Sequence, residues 1–236
     1  MDNFTLRLAK LVQRAYDPAF DTDPHGVDIT DLGFTPAEIL WATDPGGDSV
    51  PYGIIATDNG HGTVVALRGT ESGVEWAADA DAMLVSCNWA PGCLVHKGFY
   101  QIAETLRTSK GVFADVALSG GGFLSVAGHS LGAALATILA TRMSAKQLVS
   151  LAGPRSGCQA FAALGLARIG LVARLVIPGD VVPTLPPPFP LPFRHVGDAI
   201  ELQKPAIRDT LECRHSIATY LNAMDPSLPL GAECVL

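Results

Sequence analysis

The chain has 236 residues, 48% hydrophobic and 17% charged. That is long and apolar enough for one large core covered on both sides, which excludes a disordered chain. A formal net charge of −7, from 16 Lys and Arg against 23 Asp and Glu, argues against nucleic acid as the main partner.

Residues 1–20 mix Arg7, Lys10 and Arg14 with Leu6, Leu8, Leu11 and Val12 at helical spacing. This reads as a surface helix over 5–15 and not as an export signal, although a trimmed signal would leave the compartment, secretion included, open. Strands are expected at 53–57, 63–68, 124–127, 147–151, 173–177 and 194–202. Helices are expected at 98–118, 131–144, 159–166 and 211–222. Residues 119–122 read as a turn into the strand at 124–127. Strands alternating with longer helical runs predict an α/β fold, with a mostly parallel sheet and helices on both faces in one domain over 1–236. No run of about 18 uninterrupted apolar residues occurs, so no transmembrane segment is expected; residues 161–178 come nearest and are broken by Arg168 and Arg174.

Residues 182–193 carry six prolines among Leu and Phe. Such a stretch can neither pair as a central strand nor continue a helix, which leaves an extended apolar loop: a stiff connector, or one wall of an apolar site. Of the five cysteines, Cys87 and Cys93 flank a Pro-Gly turn and could bridge, and Cys213 with Cys234 is a second candidate pair. Five reduced, buried thiols are the alternative. No Cys or His cluster has metal-ligand spacing, so no metal is expected.

The most informative stretch is Gly128-His129-Ser130-Leu131-Gly132, a Gly-x-Ser-x-Gly motif between a β-branched run and a small-residue helix. A serine on a sharp strand-to-helix turn needs small neighbours two residues away on each side, because the backbone there is crowded. The helix N-terminus offers unpaired N–H groups and a positive dipole end to a developing oxyanion. A serine hydroxyl is a weak nucleophile and needs an imidazole base oriented by a carboxylate, downstream in the order Ser, Asp or Glu, His. His195 and His215 are the downstream histidines. Asp180, Asp198, Asp209 and Glu212 are the competing acids, and Asp180 stands where a β-rich run ends in a turn.

Residues 126–139 (VAGHSLGAALATIL) resemble the nucleophile region of the class 3, fungal-type triacylglycerol lipases of the α/β-hydrolase superfamily. Further blocks match in the same order: VVALRGT at 64–70, VHKGFY at 95–100, SLAGPRSG at 150–157, IPGDVVPTLPP at 177–187, FRHVG at 193–197 and HSIATYL at 215–221. The resemblance covers most of the chain from about residue 50 onward. It implies the α/β-hydrolase fold, Ser130 as nucleophile, Asp180 as acid and His215 as base, with His195 a histidine not used as the base. It also implies an oxyanion hole from Leu131 and Thr70, and no cofactor.

A short amphipathic lid is implied at about 71–85, with Val74, Trp76, Met83 and Leu84 as its apolar face. Four carboxylates (Glu71, Glu75, Asp79, Asp81) make this segment less apolar than a strong interfacial lid. The expectation is therefore a serine esterase or lipase acting on lipid esters, with transient contact at a lipid–water interface. A feruloyl-type or other soluble-ester esterase, and a catalytically silent lipid-binding module, are the alternatives.

Overall fold

The computed structural model describes residues 2–43, 48–70, 82–113 and 123–236. Helix α1 (Asn3–Arg14) starts where the Asp2 carboxylate accepts a hydrogen bond from the Thr5 N–H at 2.6 Å, a side-chain cap on an otherwise unpaired donor. Leu8, Leu11 and Val12 are buried at i, i+3 and i+4 spacing, while Arg7, Lys10 and Arg14 stay at the surface. Strands β1 (Thr35–Thr43), β2 (Ser49–Asp58) and β3 (Gly62–Leu67) form an antiparallel run. From β3 the sheet continues in parallel through β8 (Leu124–His129), β9 (Gln147–Leu151), β11 (Leu171–Val176) and β13 (Ala199–Glu201).

Side-chain alternation along these strands divides the core in two. Val65, Leu67 and Val126 point into one layer, with Phe99 of α2 (Lys97–Thr105), with Leu131, Leu135 and Ile138 of α3 (Leu131–Met143) and with Phe161 of α4 (Gln159–Arg168). Val64, Ala66 and Ala127 point into the other, with α1 and with Tyr220 and Leu221 of α6 (Ile217–Met224). Helix α3 is buried along nearly its whole length, which explains its Ala-rich, evenly apolar sequence. A four-stranded second sheet runs in the order β12 (Phe193–Arg194), β10 (Gly157–Cys158), β5 (Leu94–His96), β4 (Leu84–Ser86).

Several sequence expectations need correction. The helix expected at 98–118 stops at Thr105. Leu106 turns extended, and β6 (Arg107–Thr108) pairs with β7 (Gly111–Val112) through a tight turn. The strand expected at 194–202 is split, because Gly197 adopts a φ of 79° and a Cβ there would press on Val172. Phe193 and Arg194 join the second sheet, and Ala199–Glu201 pairs with β11. The helix expected at 211–222 breaks at Ser216 into α5 (Leu211–His215) and α6. Of the residues named for the lid's apolar face, Leu84 lies in β4, paired opposite His96. Val74 and Trp76 lie outside the described residues. Among the described residues no helix is long and apolar enough to cross a membrane.

Of the two candidate cysteine pairs, Cys213–Cys234 forms a disulfide. Cys87, Cys93 and Cys158 are buried free thiols, and burial pushes the Cys87 thiol up to about 11. Cys213 lies on α5, two residues before His215, so the bridge ties this short helix to the chain near Cys234. Closing a loop of 21 residues removes about 3 kcal/mol of unfolded-chain freedom. Replacing both cysteines by serine is expected to lower the unfolding free energy by about that amount in urea melts. An unchanged midpoint would show that α5 is held without the bridge.

Candidate active site

The site is assembled at the carboxyl ends of β3, β8 and β11, which share one edge of the parallel sheet. Ser130 follows β8 at φ 58° and ψ −127°, a backbone that L-residues rarely adopt. The turn closes because its neighbours are glycines. A Cβ on Gly128 would lie 2.2 Å from the Gly132 carbonyl oxygen, and a Cβ on Gly132 would lie 2.4 Å from the carbonyl oxygens of Leu67 and Arg68. The sharp turn aims the Ser130 hydroxyl away from the strand.

His215 Nε2 stands 2.8 Å from Ser130 Oγ. His215 Nδ1 stands 3.1 and 3.0 Å from the two carboxylate oxygens of Asp180. A carboxylate can only accept, so Nδ1 carries the proton and Nε2 is left to accept from the serine hydroxyl. All three side chains are buried. This series of hydroxyl, imidazole and carboxylate can move a proton off the serine as it attacks a carbonyl carbon.

The other acidic candidates are engaged elsewhere or exposed. Asp209 is paired with Arg214 and Lys204, and Asp198 and Glu212 are at the surface. His195 donates from Nε2 to the Pro183 carbonyl at 2.8 Å. Burial, reinforced by the Arg174 charge, lowers its pKa to about 3, so it stays neutral.

On the opposite side of Ser130, α3 begins at Leu131, whose N–H lies in the first turn and lacks an intrahelical acceptor. Thr70 follows β3, and its Oγ1 is buried without a hydrogen-bond partner among the described residues. A buried hydroxyl left unpaired costs about 1–3 kcal/mol. Gly69, beside it, approaches Ser130 so closely that a Cβ would lie 2.9 Å from the serine Cβ. Met83 is 44% exposed and accepts at its carbonyl from Lys97, and Leu84 packs on the core.

Residues 64–189, more than half of the chain, match the family described as Lipase (class 3). The chain belongs to the class 3 lipase family. The secreted mono- and diacylglycerol lipase A of Penicillium cyclopium is 37% identical over 130 residues, covering 52% of this chain and 42% of that protein. The secreted mono- and diacylglycerol lipase 1 of Fusarium solani is 30% identical over 140 residues, covering 57% and 42%. The matched stretches thus span less than half the length of these curated relatives. A solved structure of a mutant MDLA from Penicillium cyclopium superposes with a TM-score of 0.67 at 25% identity, covering 86% of this chain and 79% of that one. The Rhizomucor miehei triacylglyceride lipase shares the fold with a TM-score of 0.65 at 24% identity, covering 85% and 78%. The fold is that of the α/β-hydrolases.

In this class 3 lipase chain two tyrosines complete the site, and neither is assigned a part by the sequence motifs. Tyr220 donates its hydroxyl proton to Asp180 Oδ2 at 2.7 Å and accepts from the Ile177 N–H at 3.1 Å. Burial, with the Asp180 charge beside it, holds this phenol protonated well above its ordinary range. The Val182 N–H donates to the other Asp180 oxygen at 3.0 Å, so both oxygens are fixed.

Tyr16, from the turn after α1, belongs to a second buried chain. His129 Nε2 meets the His215 carbonyl at 2.8 Å and must be the donor, which makes its Nδ1 the acceptor of the Tyr16 hydroxyl at 2.7 Å. Tyr16 in turn accepts from the Gly69 N–H at 2.6 Å. Burial keeps His129 neutral, far below the ordinary imidazole pKa.

Tyr220→Phe tests the first of these networks. It removes a donor from a buried carboxylate without changing the ring's volume, which costs about 1.5–3 kcal/mol when the acceptor is charged. The expected outcome is a fall in kcat of about tenfold with KM little changed, because the loss falls on orientation of the imidazole. Unchanged kcat on a soluble ester would remove Tyr220 from the positioning network.

Proposed function

We propose that this chain hydrolyses carboxylic esters of acylglycerols through an acyl-enzyme on Ser130. The observation that carries the reading is the unbroken hydrogen-bond series from Ser130 Oγ through His215 to Asp180, on a turn built from Gly128 and Gly132. Ser130 Oγ attacks the ester carbonyl carbon while its proton passes to His215 Nε2. The carbonyl oxygen becomes an oxyanion and is received by the Leu131 and Thr70 N–H groups and the Thr70 hydroxyl. When the tetrahedral intermediate collapses, the imidazolium returns the proton to the departing alcohol. Water then repeats the sequence on the acyl-enzyme and releases the carboxylic acid. Asp180 stabilises the imidazolium in both halves, held by Tyr220 and the Val182 N–H.

Mono- and diacylglycerols are the substrates we favour, because the relatives are named for them. Such substrates collect at lipid–water interfaces, so the chain works in transient contact with one. Secretion fits the names of those relatives and the Cys213–Cys234 bridge, since disulfides persist in oxidising compartments.

Ser130→Ala is expected to remove hydrolysis of both a dispersed diacylglycerol and a water-soluble short-chain ester, by a factor approaching 10⁶ on the order of magnitude found for serine nucleophiles. His215→Ala should match it, while His195→Asn should keep most of the activity. More than a few percent of the rate surviving in pure Ser130→Ala protein would overturn the assignment.

A further inference from the structure

The loop at 182–193 starts two residues after Asp180 and leaves the same sheet edge as Ser130. Its base is anchored. Val182, Pro183 and Pro186 are buried, and the Arg155 guanidinium donates to the carbonyls of Thr184 and Pro186. The Arg155 N–H adds a bond to the Leu185 carbonyl, and His195 holds Pro183. Beyond this base the next six residues, Pro187, Pro188, Phe189, Pro190, Leu191 and Pro192, are all exposed. Phe189 is 82% exposed and Leu191 36%. Six consecutive exposed apolar residues on a loop fixed at its base call for a partner surface.

Three features select what that surface is. First, over 186–192 only Phe189 and Leu191 carry a backbone N–H, because the other five residues are prolines. Carrying this tip out of water therefore strands few donors, whereas an ordinary loop would strand one at nearly every position. Second, proline fixes φ, so the tip is stiff before it meets anything and loses little freedom on binding. Third, the acidic chain has no carboxylate from 181 to 197, while Arg194 stands exposed beside the tip and Arg155 at its base. An apolar tip with an exposed cation beside it and no carboxylate near it suits acyl chains below a layer of phosphodiester headgroups.

We propose that residues 187–192 are a docking tip that seats the molecule on a phospholipid bilayer surface, with Phe189 as its main apolar anchor and Arg194 against the headgroups. The inference rests on the acylglycerol reading of the site, because partial acylglycerols dissolve in such a bilayer. Docking through this loop would hold the edge that carries Ser130 against the membrane.

The test separates docking from catalysis. Binding is measured by co-sedimentation with vesicles of phosphatidylcholine containing a minor fraction of phosphatidylglycerol. A Ser130→Ala background keeps any lipid ester intact. Turnover of a water-soluble ester is measured in the active protein. Phe189→Ser is expected to weaken vesicle partitioning about tenfold, and Leu191→Ser less. Arg194→Gln should weaken it severalfold at low salt and much less at high salt. Both loop variants should keep soluble-ester turnover within about twofold of the parent, since neither side chain touches the reacting atoms. Three results would overturn the proposal: no vesicle binding by the parent, equal binding by parent and both loop variants, or soluble-ester turnover lost in step with binding. A parent that binds vesicles but hydrolyses no ester would instead sink the catalytic reading and leave the docking tip standing.

Discussion

A serine backbone at φ 58° is costly, and residue 130 keeps it because the surrounding chains leave no alternative. Strand β8 enters from the centre of a parallel sheet and α3 must leave at once, packed against the layer it came from. Gly128 and Gly132 let the two segments pass at backbone contact distance, and Gly69 lets the end of β3 close on the same point. The three approaches fix one another, since a Cβ at any of them would meet an atom at 2.9 Å or less. What they create is one fixed direction for the Ser130 hydroxyl, toward His215, and a fresh helix N-terminus beside it.

Around that point two buried hydrogen-bond chains set the remaining parts. One runs from the Ile177 N–H through Tyr220 to Asp180 and so to His215. The other runs from the Gly69 N–H through Tyr16 and His129 to the His215 carbonyl. The first aims the carboxylate and through it the imidazole ring. The second ties the backbone of His215, through His129 and Tyr16, to Gly69 beside Thr70. Neutral members suit that second chain, because a charge on His129 would sit beside His215 in a setting where burial already opposes it. The disulfide to Cys234 holds α5 from outside, and Arg214 reinforces it by reaching Asp209 and the Gly179 carbonyl next to Asp180.

The parts readable in the sequence were those encoded by short-range sterics. Gly-x-Ser-x-Gly before a small-residue helix announces its turn because only glycine fits there, and the strands expected at 53–57 and 63–68 declare themselves by their Ile, Val and Thr residues. Strand β1 was missed: its irregular register against β2 blurs the alternation on which recognition depends. The expected helix at 98–118 and strand at 194–202 were over-extended, because local propensity does not register a hairpin formed against β1 or a glycine turn imposed by Val172. Tyr16 lies in no motif, and Tyr220 lies in the block HSIATYL without a part assigned to it. Their meaning lies in partners 113 and 40 residues away, a separation at which sequence spacing holds no information. Tyr220 left one faint signal, a large aromatic five residues after His215 on the apolar helix that follows it.

Reaction with a fluorophosphonate, followed by peptide mapping in a mass spectrometer, tests most directly whether this geometry makes Ser130 a nucleophile. The expected result is one adduct per chain, located on Ser130, formed rapidly in the parent and slowed by orders of magnitude when His215 is replaced by alanine. An adduct on another residue, or labelling of Ser130 that is indifferent to His215, would contradict it.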